Sequence, residues 1–147
     1  WAGSGAAADT GGRRMIRSHR VATAAYRCVE NRRNESNKKK YGAIAHKLPG
    51  MILQNGLAQA SGFLLAKGAS APEHWMLLDD LRDVLRAGGT LDVPSREDLH
   101  QRIIGADLSQ TLKYTRAALE ASGWLKRYVQ GVLRVTATGD DATDKED

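Results

Sequence analysis

Cysteine is almost absent from this chain. Cys28 stands alone among 147 residues, so no internal disulfide can form, and without a second Cys or a His at ligand spacing a zinc site has no donor set. The lone thiol is expected to be a buried small hydrophobe. Aromatic residues are scarce as well. Three Trp, four Tyr and one Phe, set against plentiful Ala and Leu, favour helices packed through small and aliphatic side chains over a β-rich core. Apolar runs are short: none approaches the roughly 20 residues of a membrane span, and no charged start followed by an apolar stretch has the form of a signal peptide. The expected compartment is the cytoplasm, with no membrane partner.

Catalytic constellations are equally thin. His19, His46, His74 and His100 are scattered, with no HExxH pair and no neighbour that would turn a Ser or Cys into a nucleophile. Glycines are numerous, but a Gly-rich phosphate loop needs a preceding strand, and no convincing strand is present. Asp79, Asp80 and Asp83 lie on one helical turn, where acids more often form a solvated face than a metal site. No enzymatic activity, cofactor, metal or small-molecule substrate is expected.

Acidic residues are also unevenly missing. Residues 1–70 carry 12 Lys/Arg against 3 Asp/Glu, residues 71–135 carry 9 against 9, and residues 136–147 carry 1 against 5. A basic half of this kind suits a polyanionic partner, nucleic acid first, or else a solvated face that keeps the chain soluble.

What is present reads as one all-α domain over residues 13–135, a compact bundle of about six helices with no sheet. It is flanked by a Gly/Ala-rich start (1–12) and an acidic tail (136–147), both expected to be disordered. A first helix near Arg14 to Glu35 places Val21, Ala22, Ala25, Tyr26, Cys28 and Val29 on one face. Arg13, Arg17, Arg20 and Arg27 line up within about 80° on the opposite face. A short second helix spans about Lys38 to Lys47 and stops at Leu48, because Pro49 biases its predecessor away from the helical region. A third runs from roughly Gly50 to Lys67.

That third helix has an apolar face of Ile52, Leu53, Gly56, Leu57, Ala60, Phe63 and Leu64. Its other face, Asn55, Ala58, Gln59, Gly62 and Ala66, is small and nearly uncharged, so either another helix of the domain or a partner should cover it. Ala71-Pro72 opens a helix to about Ala87 that Gly88-Gly89 stops. Ser95 with Asp98 forms a capping pair for a helix through Ile104, and Asp107 or Ser109 can cap the last one. There the apolar face set by Leu108, Leu112 and Leu119 shifts to Leu125, Val129 and Val132, which predicts a kink or break at Ser122-Gly123. Lys113, Arg116, Arg127 and Arg134 would form a second basic ridge if the helix were continuous. Tyr41, Tyr114, Trp124 and Tyr128 lie among the basic residues, where they can stack on bases or fill the core.

Tyr41-Gly42, Leu48-Pro49, Asn55-Gly56-Leu57, Phe63-Leu64 with Lys67, and Trp124-Leu125-Lys126-Arg127 occur in an order and spacing that resembles the small α-helical subunit of the type III-B CRISPR effector, the Cmr RNA-guided complex. The resemblance covers about Arg13 to Arg134; the two ends and the region around Pro94 match nothing specific. It implies a non-catalytic subunit that stacks head to tail in several copies and lines a basic channel for the guide RNA–target RNA duplex. Its implied partners are the other Cmr effector subunits, copies of itself, and both RNAs. The residues expected to face nucleic acid are Arg13, Arg17, Arg20, Arg27, Lys47 and Lys67, together with Lys113, Arg116, Lys126, Arg127 and Arg134. Asn55, Gln59 and Gly62 are expected at a subunit contact. A stand-alone helical DNA- or RNA-binding regulator is the alternative, although no helix carries a clear Arg/Asn/Gln set for base edges.

Overall fold

The computed structural model describes residues 2–139, with side chains from Ile16 onward. It contains six α-helices: α1 (Ala2–Asn31), α2 (Lys38–Asn55), α3 (Leu57–Lys67), α4 (Glu73–Ala87), α5 (Arg96–Ile104) and α6 (Leu108–Tyr128). A single π turn, Val129–Leu133, extends α6. There is no strand or sheet among the described residues. The all-α expectation therefore holds. Helix α1 begins at Ala2, far ahead of Arg14, and so runs through the start that was expected to be disordered; the tail from residue 140 on lies outside the described residues.

Helix α4 sits at the centre, packed against α1, α2, α3, α5 and α6. It is suited to that place because Leu77, Leu78, Leu81, Val84 and Leu85 recur at helical spacing and are all buried,. Its end was correctly expected at Gly88. The Gly88–Pro94 loop, which matched nothing in sequence, is held down by buried Leu91 and Val93 and by Arg82, whose Nη1 donates to the Pro94 carbonyl at 2.6 Å. Ser95 caps α5 as expected, its hydroxyl accepting from the Asp98 N–H at 3.1 Å. At α6, Asp107 and Gln110 form a reciprocal capping box,.

The break expected at Pro49 is not there. Pro49 and Gly50 lie inside α2, and the chain turns instead at Gly56, whose φ of 87° is a conformation that favours glycine,. Tyr41, Gly42, Ala45, Leu48 and Ile52 form one buried stripe that runs straight past the proline. Packing of that stripe outweighs the roughly 3 kcal/mol that an interior proline costs. Two residues assigned to the core on a continuous third helix, Leu53 and Phe63, are exposed for the same reason, because the turn at Gly56 resets the register.

The break expected at Ser122-Gly123 is also absent: α6 is continuous through it. The first leucines of α6 do not mark its buried face. Leu108 and Leu112 are exposed, and the true buried seam is Tyr114, Ala117, Ala118, Ala121, Ser122 and Leu125, continued by Val129. These are mostly small residues in unbroken i, i+3, i+4 succession, so α6 needs no kink to bury them.

Asp79, Asp80 and Asp83 are not a solvated face. Asp79 pairs with Arg96 at 2.7 Å and Asp83 with Arg86 at 3.1 Å, while Asp80 is buried and accepts from Arg32 and Tyr41. Cys28, Asp80 and Asp83 bring donor atoms within 4.8 Å of one another. This is poor metal chemistry, because burial pushes the Cys28 thiol far up, away from thiolate, and both Asp80 oxygens are already taken. Cys28 itself is buried, as expected.

The C-terminal segment closes the bundle over α2. His46 Nε2 lies 2.8 Å from the Val135 carbonyl, and a Cβ on Gly42 would stand 2.6 Å from Val135 Cγ1 and 3.1 Å from Val129 Cγ1. Gly42 thus permits close approach by the π turn and the segment after it. Gly42→Ala is expected to lower stability by about 1–3 kcal/mol through overpacking, measured by urea unfolding; an unchanged midpoint would show that Val135 yields freely.

Candidate nucleic-acid interface

The arginine ridge of α1 is put to two uses. Arg17 Nε donates to the Gly88 carbonyl at 3.1 Å, and Arg20 Nε donates to the Ala87 carbonyl at 3.2 Å. Both therefore satisfy the open carbonyls at the C-terminus of α4, a favourable place for a cation. Arg17 also bridges to Glu120 of α6 at 3.2 Å. Arg27 remains exposed, and Arg13 lies outside the described side chains. Sequence periodicity could place these residues on one face but could not foresee that α4 ends beneath it.

Arg17 joins two other candidates in a groove of about 710 Å³ between α1, the end of α4 and α6. Lys113 and Arg116 line it from α6, with Gly88, Gly89, Thr90 and Ser109 along the floor and rim and Glu120 the single acid. Lys113 and Arg116 are exposed. Three cations against one carboxylate, with hydroxyls alongside, can hold phosphate oxygens while Arg17 stays braced by Glu120 and Gly88.

Further along the same side of α6 stands an aromatic column. The Arg127 guanidinium lies over the Trp124 ring, 5.3 Å from its centroid. Trp124 stacks on Tyr128 at 5.6 Å and 21°, and Tyr26 of α1 meets Tyr128 edge-on at 5.4 Å. At 100° per residue Lys113, Arg116, Glu120, Trp124 and Arg127 fall within about 80°. Lys113 and Arg127 are then about 21 Å apart along the axis, a length that matches roughly six nucleotides at 3.4 Å each. The groove and the column form one track, made continuous by the unbroken α6.

The remaining candidates lie off it. Lys126 is half-buried and lines a separate shallow groove with His46, Gln130 and residues 135–137. Arg134 follows the π turn with φ 57°, which removes it from the ridge a continuous helix would have made. Lys47 and Lys67 are exposed, and neither lines the groove. Tyr41 and Tyr114 are buried and unavailable for stacking. Tyr26, assigned to the core from sequence, is exposed; its position at the very edge of the α1 apolar face was the available signal.

On α2 and α3, Asn55, Ala58, Gln59 and Ala66 are exposed. Only Gly62 is covered, by His100 of α5, whose Cε1 would lie 3.2 Å from an added Cβ. His100 Nδ1 also lies 2.7 Å from Ser61 Oγ. The turn at Gly56 parts Asn55 from the rest, so these positions do not form the one continuous helical face expected from sequence; Ala58, Gln59 and Ala66 stay open on α3, and α5 covers Gly62 between them. No helix among the described residues is long and apolar enough to cross a membrane.

Comparison with known proteins is consistent with this architecture. A family model described as CRISPR-associated protein (Cas_Cmr5) matches residues 17–132. The protein named CRISPR system Cmr subunit Cmr5 from Thermus thermophilus is 34% identical over 117 residues, 80% of this chain and 96% of that one. An X-ray crystal structure of a CRISPR-associated Cmr5 family protein from the same organism matches with a TM-score of 0.71 and 32% identity, over 80% of this chain and 97% of that one. The family match spans all of α2 through α6, and so this chain belongs to the Cmr5 family of CRISPR-associated proteins.

Proposed function

We propose that the protein is the non-catalytic small subunit of a Cmr-type, type III-B CRISPR effector in the cytoplasm, repeated in several copies, and that the α6 track lies along the RNA held by the assembly. The observation that carries the RNA contact is the groove of Arg17, Lys113 and Arg116, continuous with the Arg127–Trp124–Tyr128 column. Cations position the backbone, and the Arg127 guanidinium lying over Trp124 adds a plane on which a base can stack, a combination suited to RNA without sequence readout. The exposed positions Asn55, at the end of α2, and Gln59, on α3, are the subunit contact. A stacked array needs two different surfaces that propagate without closing, and these positions lie on α2 and α3, elements other than those forming the track.

Each phosphate contact to a single strand contributes about −0.7 to the slope of log K against log salt. An isolated copy touching a few phosphates binds weakly, and multivalency in the assembly supplies the rest. The test is recovery of the chain with the other Cmr subunits and guide RNA, followed by Lys113→Glu with Arg116→Glu. The double variant is expected to remain folded, to reduce single-stranded RNA affinity by about 10- to 100-fold near 0.1 M salt, and to flatten the salt slope by about 1.4. Wild-type binding by that variant removes the groove from the interface. Tight, sequence-dependent binding by the isolated chain would instead support the regulator.

A further inference from the structure

Among the described residues, the groove of Arg17, Lys113 and Arg116 holds one acid, Glu120, and a carboxylate is out of keeping with a site for phosphate alone. Lys113, Arg116 and Glu120 fall within about 60° of one another on α6, with Glu120 about 6 Å beyond Arg116 along the axis. At that separation it repels the anion that the cations attract. Its ion pair with Arg17 does not by itself account for it. Arg17 is also held by the Gly88 carbonyl, which accepts from Nε at 3.1 Å, and a neutral acceptor would complete the same brace without the repulsion. Glu120 Oε1 accepts from Arg17 Nη1 at 3.2 Å, and Oε2 has no hydrogen bond among the described residues. The side chain is 32% exposed, so a ligand in the groove can reach it. An ionised carboxylate can only accept hydrogen bonds. The phosphates of a nucleic acid offer it no donor, whereas the ribose 2′-hydroxyl is a donor that every RNA nucleotide carries and DNA lacks. With a phosphate on Lys113 and Arg116, Glu120 lies about two steps of 3.4 Å along the strand, where it meets a sugar.

We propose that Glu120 selects RNA over DNA by accepting a hydrogen bond from a ribose 2′-hydroxyl, with Arg17 fixing the carboxylate through Oε1 and leaving Oε2 to the sugar. The inference rests on the RNA-binding function proposed above and adds to it a preference for the sugar. The acid lowers the affinity of the groove for any polyanion and restores it only for a strand that carries 2′-hydroxyls. A hydrogen bond to a charged acceptor is roughly twice as strong as one between neutral groups, which gives the contact a weight of about 10-fold in affinity.

The test compares the affinity of the full chain, at ~50 mM salt, for oligouridylate and for its 2′-deoxy and 2′-O-methyl forms of the same length. The deoxy form lacks the hydroxyl; the methylated form keeps the RNA sugar pucker and lacks only the donor. Wild type is expected to bind oligouridylate about 10-fold more tightly than either. Glu120→Ala is expected to bind the deoxy form more tightly than wild type does and to lose the preference. Glu120→Gln, which keeps a neutral acceptor, should retain a preference of about 3-fold. The wild-type comparison needs no variant, so it stands even if a substitution unfolds the chain. A preference that survives Glu120→Ala unchanged reduces the acid to a brace for Arg17 and overturns the proposal. Equal binding of oligouridylate and its deoxy form by wild type also overturns it, while leaving the groove as a phosphate site. Binding of none of the probes overturns the RNA contact itself and the sugar preference with it.

Discussion

Asp80→Ala is expected to lower the unfolding free energy by about 3–5 kcal/mol, the range for removing one partner of a buried ion pair. Asp80 is 3% exposed. It accepts from Arg32 Nε at 3.0 Å, from Arg32 Nη2 at 2.8 Å and from the Tyr41 hydroxyl at 2.6 Å. One carboxylate thereby ties the end of α1, the start of α2 and the centre of α4 together. Burial is the dominant influence on it and raises its pKa above the usual carboxylate range, although Arg32 and Tyr41 pull in the other direction. The intact group thus carries a desolvation cost, and most of the loss on truncation comes from what is stranded: a fully buried Tyr41 hydroxyl and a guanidinium left with only the Met76 carbonyl, 3.3 Å away,.

Domains of this kind are stable by about 5–15 kcal/mol in total. Each kcal/mol corresponds to roughly 2–4 °C near 150 residues, so the melting temperature should fall by about 10 °C. Asp80→Asn, which keeps the shape and one acceptor, should fall between that variant and wild type. Thermal and urea unfolding measure both. A loss below about 1 kcal/mol for Asp80→Ala would show that the three helices are held without the network.

Gly68→Ala is the second large effect, expected at about 2–4 kcal/mol from overpacking and a lost hydrogen bond. The backbone is not the obstacle, because Gly68 has φ −62° and ψ −24°, which alanine adopts readily. The obstacle is the Trp75 indole, which occupies the space a Cβ would need. Trp75 has little room to move: its Nε1 donates to the Leu65 carbonyl at 2.7 Å, and the Arg96 guanidinium covers the ring 4.5 Å from its centroid. Arg96 is in turn fixed by Asp79. Displacing the indole therefore disturbs α3, α4 and α5 together. Gly50→Ala is the matched control. It lies within α2 with nothing within 4 Å of an added Cβ, so it should gain about 0.5–1 kcal/mol. If both variants melt with wild type, the indole is not locked in place.

These two sites also mark how far local pattern reaches. In sequence Gly68 is only a helix stop and Asp80 one of three acids on a turn, because neither the indole nor the guanidinium that defines each role is a sequence neighbour. Pro49 shows the reverse: its local signal to break the helix is strong, yet a buried stripe from Tyr41 to Ile52 overrides it. On α6 the leucines drew the apolar face to the wrong side, since Ala117, Ala118 and Ala121 carry little hydrophobic weight each but pack as one seam. The basic candidates were legible as residues and illegible as a site. Arg17 and Arg20 were found by periodicity, but that they close the end of α4 depends on a contact across 71 and 67 residues.

Composition, helical periodicity and capping residues by themselves determined an all-α chain, the ends of α4 and α5, the burial of Cys28 and, through ordered motifs, the family. Those features depend on backbone preference and on residues within a turn or two of one another. The tertiary structure decided where α2 and α3 part, that α6 stays whole, which three cations share a groove, and that residues 135–139 return along α2. Each of these depends on surfaces brought together from distant parts of the chain, where packing of a buried stripe outweighs the preference of any single residue within it.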